Sequence, residues 1–281
     1  MIMNKKIATK KILTIQDISC VGQCSLTVAL PIISACGIET CILPSAVLST
    51  HTAGFKGFTF RDLTEDMPAI EKHWKKEKIS FSAVYTGYLG STLQIDYVKS
   101  IIKHLCKGKA IVDPAMADNG KLYPAFDEEY VEQMKTLCSE ADIILPNITE
   151  ACYLTGTKYK ETYTVRYIKS LTKKLLDSGA KAVVLTGVGY TPDTTGVVVC
   201  DNEHFYYYKH HRYEQSCHGT GDVYASAFVG AYMNGKSIDD AARIAADFTV
   251  RCMENTIGDD SHWYGVKFEP MLKSLIDDLS Q

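Results

Sequence analysis

Short apolar runs alternate with longer amphipathic runs over the first two thirds of the chain, and this alternation constrains the fold most strongly. The run at 182–185 is Ala-Val-Val-Leu and that at 143–145 is Ile-Ile-Leu, as is typical of strands covered on both faces. Strands separated by helices form βαβ units, which build a parallel sheet. We therefore predict strands at Lys11–Gln16, Glu39–Leu43, Ala83–Thr86, Ala110–Asp113, Ile143–Pro146 and Ala182–Thr186. The intervening helices are predicted at Ser25–Cys36, Thr64–Lys78, Gln94–Cys106, Glu128–Ser139 and Val165–Ser178.

The last third of the chain departs from this alternation. Segments Gly196–Cys200 and His204–Tyr208 are predicted to form an antiparallel hairpin. Nearly continuous helix follows at Asp222–Met233, Ile238–Asn255 and Phe268–Leu279. Because no repeat or Pro/Gly-rich linker interrupts the pattern, we expect residues 1–281 to form a single three-layer α/β/α domain. Its central sheet should be mainly parallel, with the hairpin at its periphery.

Composition excludes several classes of protein. The chain is 46% hydrophobic with a net charge of only −3, which excludes a disordered protein. Thirty basic residues against 33 acidic ones leave no positive excess for nucleic acid. No apolar stretch approaches the length of a membrane span, and the lysine-rich start lacks a signal-peptide core. Residues 1–10 are therefore expected to be a short leader of a cytoplasmic protein.

The ten cysteines are scattered and form no C-x-x-C pair. In a reducing compartment such thiols are mostly small buried side chains, so neither a disulfide framework nor a zinc site is predicted.

Polar side chains follow each predicted strand. Because ligands of open parallel sheets bind at the carboxyl ends of the strands, these side chains should meet at one edge. Any one of them could merely cap a helix, but six together indicate an active site. The residues concerned are Asp17, the 49–52 segment, Thr86–Tyr88, Asp113, the 146–150 segment and Thr186–Gly189.

The sharpest local motif is Cys217-His218-Gly219-Thr220-Gly221-Asp222, directly before an apolar helix. Two glycines allow a tight turn whose amides point outward at a helix N-terminus, which forms an anion site. Asp222 could then accept a proton from a hydroxyl that attacks a bound phosphate. The alternative is an Asp that only caps the helix, and the motif alone leaves both possibilities open. No P-loop or G-x-G-x-x-G motif is present, which argues against a P-loop enzyme and a dinucleotide oxidoreductase.

Taken in order, these motifs resemble the ribokinase-like superfamily and, within it, the pyridoxal/pyridoxamine kinases. The resemblance runs from about Lys11 to the final helix. Besides the G-T-G-D motif, it rests on Ile15-Gln16, Ser49-Thr50-His51-Thr52, Thr86–Gly90, Asp113-Pro114 with Asp118, and Asn147-Ile148-Thr149-Glu150.

The resemblance implies a role for each matched residue. Asp222 would be the catalytic base, and the amides of Gly219, Thr220 and Gly221 would bind the transferring phosphoryl group. Asn147 and Glu150 would hold Mg²⁺, mostly through water. The remaining matches divide between two sites. The residues that would bind the nucleotide are Asp113, Asp118, Thr186 and Gly187. Those that would bind the vitamin ring are Asp17, His51, Thr52 and Tyr88.

The implied function is ATP-dependent phosphorylation of the 5′-hydroxymethyl group of pyridoxal, pyridoxine or pyridoxamine, in vitamin B6 salvage. The family also implies a homodimer and allows activation by K⁺, although no residue here identifies a K⁺ site. Many pyridoxal kinases have a serine where this chain has Asp17, so the preferred ring is open. The alternatives are a hydroxymethylpyrimidine kinase and a non-catalytic vitamin-binding or sensor protein.

Overall fold

The computed structural model describes residues 10–280, so most of the predicted leader lies outside the described residues. Within this range the strands are β1 Lys11–Val21, β2 Glu39–Thr50, β3 Phe60–Asp62, β4 Phe81–Thr86, β5 Cys106–Val112, β6 Ala117–Asp118, β7 Lys121–Leu122, β8 Ile143–Ile144, β9 Ala182–Thr186, β10 Thr194–Cys200 and β11 Phe205–His211. The helices are α1 Leu26–Ala35, α2 Met67–Lys76, α3 Thr92–Leu105, α4 Glu128–Glu140, α5 Ile148–Thr155, α6 Val165–Asp177, α7 Thr220–Met233, α8 Ile238–Glu254 and α9 Leu272–Leu279.

Nine strands form one sheet in the order β11-β10-β9-β8-β5-β4-β1-β2-β3. The six strands from β9 to β2 pair in parallel, and β3, β10 and β11 add antiparallel strands at the two ends. The predicted mainly parallel sheet is thus confirmed. The predicted hairpin forms as β10 and β11, but it extends the main sheet because β10 pairs with β9 along Val197–Cys200. A separate small hairpin joins β6 and β7.

Helices cover both faces of the sheet. Leu13 and Ile15 of β1 belong to the core on one face, which is completed by α3, α4 and α6. Ile12 points to the opposite core, which is filled by α1, α7 and α8. Because both faces are buried, the strands need apolar residues at successive positions. This arrangement confirms the three-layer α/β/α fold.

Helix α5 was not predicted. Its N-cap is Asn147, whose side chain accepts from the Glu150 backbone N–H at 2.9 Å, while the Glu150 carboxylate accepts from the Asn147 N–H at 2.8 Å. This reciprocal capping box satisfies two backbone donors at the helix start. The N-x-x-E motif therefore has a structural role in addition to its implied functional one.

The carboxyl ends of the parallel strands lie side by side. The Asp113 N–H donates to the Thr86 carbonyl at 2.9 Å, and the Thr186 N–H donates to the Pro146 carbonyl at 2.9 Å. β1 has β2 on one side and β4 on the other, so the strand order reverses there and a crevice opens at the sheet edge. Within 10–280, no helix is both long enough and apolar enough to cross a membrane.

Candidate active site

The Gly219–Gly221 loop forms the amino end of α7. Gly219 has φ +80°, and a Cβ at this position would lie 1.7 Å from the Gln23 carbonyl oxygen, so only glycine fits. The first amides of a helix have no acceptor inside the helix, and the dipole adds positive potential. The loop can therefore bind an anion through its backbone.

Asp222 lies in the first turn of α7, directly behind this loop. Burial, together with the nearby charge of Asp17, raises the pKa of its carboxyl group to about 7, against the lowering effect of the Ser25 backbone N–H. Among the described residues, no hydrogen bond joins this carboxylate to an amide of α7. The geometry therefore favours a base over a helix cap.

Asp17 lies within β1, where the pairing with β2 shifts register between Gln16 and Ile18. Its side chain is only 5% exposed, and its Oδ2 accepts a hydrogen bond from the Ser19 hydroxyl at 3.1 Å. Burial raises the pKa of this carboxyl group, while hydrogen bonds from Ser25 and Ser19 lower it. A shift in register redirects side chains, and here it brings a carboxylate to the crevice.

The half-buried thiol of Cys24 lies beside these two carboxylates. Burial, with the charges of Asp222 and Asp17, raises the pKa of this thiol.

His51 has both ring nitrogens engaged. Its Nδ1 accepts from the Ala53 N–H at 3.1 Å, so its Nε2–H donates to the Tyr264 carbonyl at 2.7 Å. A Cβ on Gly22 would lie 2.1 Å from the imidazole, so the ring supports the β1–α1 loop directly. His51 therefore fixes the wall of the crevice, and Thr52 lies exposed in the following loop.

One half-buried aromatic residue, Tyr88, lies beside Asp17 and packs against core aromatic residues. Tyr88 is half-buried, and its ring centroid lies 5.3 Å from that of Phe126, which stacks on Tyr130 at 3.8 Å. Burial, then the charge of Asp17, raises the pKa of the Tyr88 hydroxyl. The Tyr88 ring is therefore held by buried aromatic neighbours on the side of the site where Asp17 lies.

Tyr123 was missed from the sequence. It follows the β6–β7 hairpin, its N–H donates to the Met116 carbonyl at 2.9 Å, and its side chain is 38% exposed. Burial raises the pKa of its hydroxyl, and Glu150 and Asp113 add to the shift. The available clue was Asn119-Gly120, a strong turn signal that predicts the chain returning to the sheet edge.

Asp113 and Glu150 bring two further carboxylates to this edge. Burial and the charge of Glu150 raise the pKa of Asp113 well above its usual range, and burial raises that of Glu150. Glu150 is 2% exposed, and its Oε1 also accepts from the Met116 N–H at 2.9 Å. The Asn147 amide donates to the Ala117 carbonyl at 2.7 Å.

Both predicted metal ligands thus already bind backbone groups. Within 10–280, no group of three or more His, Cys, Asp and Glu side chains is arranged to bind a metal directly. The unbalanced negative charge and hard oxygen donors nevertheless suit a hydrated Mg²⁺ ion.

Three further residues were predicted to bind the nucleotide, namely Thr186, Gly187 and Asp118. Thr186 ends β9 and bridges to Asn147, and Gly187 is exposed with φ +74°. Asp118 is exposed on β6 and accepts from the Asn119 N–H at 2.8 Å. A cavity of about 340 Å³ opens beside the loop, lined in part by Cys217, Thr256 and Trp263.

Comparison with known proteins identifies the family of the chain. A family model described as phosphomethylpyrimidine kinase matches residues 30–265. Two crystal forms of a Bacteroides thetaiotaomicron protein, provisionally assigned to the phosphomethylpyrimidine kinases, superpose with TM-scores of 0.92 and 0.89. The first form is 37% identical, and the match covers 96% of this chain and 95% of its own. The second form, which was solved with pyridoxal, is 38% identical, and the match covers 95% of this chain and 96% of its own.

Two further matches carry different names. The pyridoxal kinase of Lactobacillus plantarum is 30% identical, with a TM-score of 0.89 over 95% of this chain and 97% of its own. The hydroxymethylpyrimidine/phosphomethylpyrimidine kinase of Bacillus subtilis is 28% identical over 220 residues, covering 76% of this chain and 78% of its own. The chain therefore belongs to the phosphomethylpyrimidine kinase family, a group of ribokinase-like kinases to which the pyridoxal kinases are related.

Proposed function

We propose that the chain transfers the γ-phosphoryl group of ATP to the 5′-hydroxymethyl group of a B6 vitamer. The observation that carries this proposal is the placement of two carboxylates, the half-buried Asp222 behind the anion loop and the buried Asp17 beside Tyr88. One can accept the proton of an alcohol, and the other can bind a ring. The pyridoxal in the 38%-identical Bacteroides structure and the name of the L. plantarum relative support the choice of ring.

The chain's own residues can supply the transfer chemistry. As the alcohol oxygen forms its bond to the γ-phosphorus, Asp222 accepts the hydroxyl proton and the bond from the γ-phosphorus to the bridging oxygen breaks, releasing ADP. A pKa of about 7 suits this role, because about half of the base is ionised at neutral pH and the carboxylate is strong enough to take the proton. The amides of Gly219, Thr220 and Gly221 stabilise the charge on the phosphoryl oxygens.

Asp113, Asn147 and Glu150 would hold Mg²⁺, the last two through water because their side chains already cap α5. When bound, Mg²⁺ neutralises charge on the ATP phosphates. Asp118, Thr186 and Gly187 would then contact the nucleotide. K⁺ activation stays a prediction without an assigned residue.

Asp17 and Tyr88 would contact the ring. A buried carboxylate can pair with a protonated pyridine nitrogen or with the amine of pyridoxamine. His51 and Thr52, the other expected ring residues, lie on the loop that closes this side of the crevice. His51 acts there through the backbone it holds.

A hydroxymethylpyrimidine kinase is the second candidate, favoured by the family match and by the B. subtilis relative. Its substrate also presents a primary alcohol on a flat ring, so the anion loop and Asp222 would serve both reactions. A sensor would have no need of a base behind an anion loop, so the site argues against it.

A coupled ADP-release assay with Mg-ATP and pyridoxal, pyridoxine, pyridoxamine or hydroxymethylpyrimidine tests the proposal. We expect the highest kcat/KM with a B6 vitamer. A preference for hydroxymethylpyrimidine would establish the second candidate, and tight binding without turnover would establish a sensor. Analytical ultracentrifugation of the same sample tests the expected homodimer.

A further inference from the structure

The turn that leaves β9 places two glycines around one buried valine. Gly187 is exposed with φ +74°, and apart from its chain neighbours no atom lies within 4 Å of the position that its Cβ would occupy. Val188, in contrast, is fully buried in the core. Residues 187–189 are called the nucleotide loop below, because Gly187 is an expected nucleotide contact. Since glycine has many accessible conformations, a loop of this composition needs external contacts to keep one shape.

One tyrosine hydroxyl joins the two ends of the nucleotide loop. Tyr163, which lies two residues before α6, donates to the Gly187 carbonyl at 3.3 Å and accepts from the Gly189 N–H at 3.0 Å. Burial raises the pKa of this hydroxyl, so it keeps its proton at neutral pH and can donate while it accepts. A single side chain thus spans the loop.

A second tyrosine hydroxyl holds the middle of the loop. Tyr207 of β11 donates to the Val188 carbonyl at 3.2 Å. The Val188 N–H donates in turn to the Gly196 carbonyl of β10 at 3.0 Å. Both backbone polar groups of the valine are therefore bonded, one of them to a side chain.

Aromatic packing holds the two tyrosines in place. Tyr190 directly follows the loop, and its ring meets Tyr207 and Tyr163 edge-on, with centroids 5.0 Å and 6.2 Å away. Tyr163 also stacks on Tyr167 at 5.9 Å. Because neighbouring rings restrain each of them, the two hydroxyls can in turn restrain the loop.

We propose that Tyr163 and Tyr207 are positioning residues for nucleotide binding, whose hydroxyls hold the 187–189 backbone in the conformation that receives ATP. A loop that is already ordered loses little conformational entropy when a ligand binds, which increases affinity. The two tyrosines act through the loop backbone, so the alcohol site and Asp222 do not depend on them. This inference rests on the proposed phosphoryl transfer and names residues that set its nucleotide affinity.

Replacing each tyrosine with phenylalanine removes the hydroxyl and keeps the ring. Tyr163→Phe loses both bonds to the glycines, so the Kd for Mg-ADP and the KM for ATP should rise about fivefold to twentyfold. Tyr207→Phe loses one bond, and both constants should rise about twofold to fivefold. The kcat at saturating ATP and the KM for the alcohol should stay within about twofold of wild type, because only nucleotide binding is weakened.

Tyr167→Phe is the matched control. The Tyr167 hydroxyl donates to the Lys158 carbonyl at 2.8 Å, and within residues 10–280 it forms no hydrogen bond to the nucleotide loop. The control therefore removes the same atom from the neighbouring stacked ring, and its Kd for Mg-ADP should stay within about twofold of wild type. Isothermal titration calorimetry measures the Kd, and thermal unfolding compares the stability of the variants.

Amide hydrogen exchange gives a readout that requires no turnover. The Gly189 N–H loses its acceptor in Tyr163→Phe, so the segment 186–190 should exchange faster than in wild type and in Tyr167→Phe. Unchanged exchange would show that the hydroxyl does not hold the loop and would overturn the proposal.

A Kd for Mg-ADP within about twofold of wild type in Tyr163→Phe would also overturn the proposal, as would equal increases in Tyr163→Phe and Tyr167→Phe. If Tyr163→Phe does not fold, Tyr207→Phe tests the same loop by the same measurements. ADP binding does not depend on which alcohol the wild-type protein phosphorylates. A failure of the B6 assignment is thus seen in the substrate panel, and a failure of this inference in the order of the variants.

Discussion

Replacing Asp222 with asparagine should remove activity and, above neutral pH, stabilise the fold. Asparagine keeps the size of the side chain but cannot accept the substrate proton, so kcat should fall by about 10²–10⁴-fold with little change in KM. A residue that only capped α7 would behave differently. Its replacement by asparagine would leave kcat nearly intact and cost little stability, because asparagine is also a good cap.

The stability effect follows from the pKa of Asp222. Folding raises it from 3.8 to about 7, so the folded protein holds this proton more tightly than the unfolded chain. As pH rises from about 4 to about 7, the wild-type protein loses stability from this group. About three pKa units at about 1.4 kcal/mol each set an upper limit of about 4 kcal/mol. Because the side chain is partly solvent-accessible, we expect roughly 2 kcal/mol.

Urea unfolding at pH 5 and pH 8, followed by tryptophan fluorescence, measures most of this difference, because part of the stability is already lost at pH 5. The free energy of unfolding of Asp222→Asn relative to wild type should be greater at pH 8 than at pH 5. Folding also raises the pKa values of Asp113 and Glu150. Both residues are present in both proteins, so their contributions to the difference in stability largely cancel. A difference in the free energy of unfolding that does not change with pH would refute the raised pKa of Asp222. A retained kcat would refute the catalytic role of Asp222.

Three further substitutions test separate parts of the site. Gly219→Ala should lower kcat at least about 100-fold without preventing folding, because its Cβ would collide with the Gln23 carbonyl and displace the loop amides. Steady-state kinetics measures kcat and circular dichroism measures folding; near-normal turnover would contradict the role of the anion loop. Asp17→Ser should raise KM for pyridoxamine about tenfold, and more than for pyridoxal, if the carboxylate pairs with a cationic group; equal changes for both vitamers would contradict this pairing. Glu150→Gln should raise the Mg²⁺ concentration that gives half-maximal rate. It should also lower the free energy of unfolding by about 1–2 kcal/mol, because the carboxylate loses one of its hydrogen bonds from Asn147 or Met116; an unchanged Mg²⁺ titration would leave Glu150 with a structural role only.

The fold was predictable because strands buried on both faces require continuous apolar runs, which are visible in sequence. Strand ends were less predictable: β1 continues to Val21, five residues beyond the predicted end, because pairing with β2 resumes after the shift at Asp17. The short helix α5 was not predicted because its N-x-x-E motif was interpreted only as a functional element, although Asn147 and Glu150 have the spacing of a capping box.

The site was predictable only as far as motifs and strand ends reach. Asp17 and Asp113 follow from position in the fold, since parallel strands place their carboxyl ends at one edge, and Asp222 follows from the glycine motif that precedes α7. The engaged nitrogens of His51 depend on Tyr264, more than two hundred residues away in sequence. The positive φ of Ser25 leaves no trace in residue type, because serine is an ordinary residue at a helix start.

The position of Cys24 near two carboxylates has a consequence for the chemical reactivity of the protein. Only a thiolate attacks alkylating reagents and oxidants, and burial with Asp222 and Asp17 nearby disfavours the thiolate of Cys24. Iodoacetamide should therefore modify the exposed Cys20 long before Cys24. The charge pattern that prepares this crevice for proton transfer thus also protects the thiol within it from covalent damage.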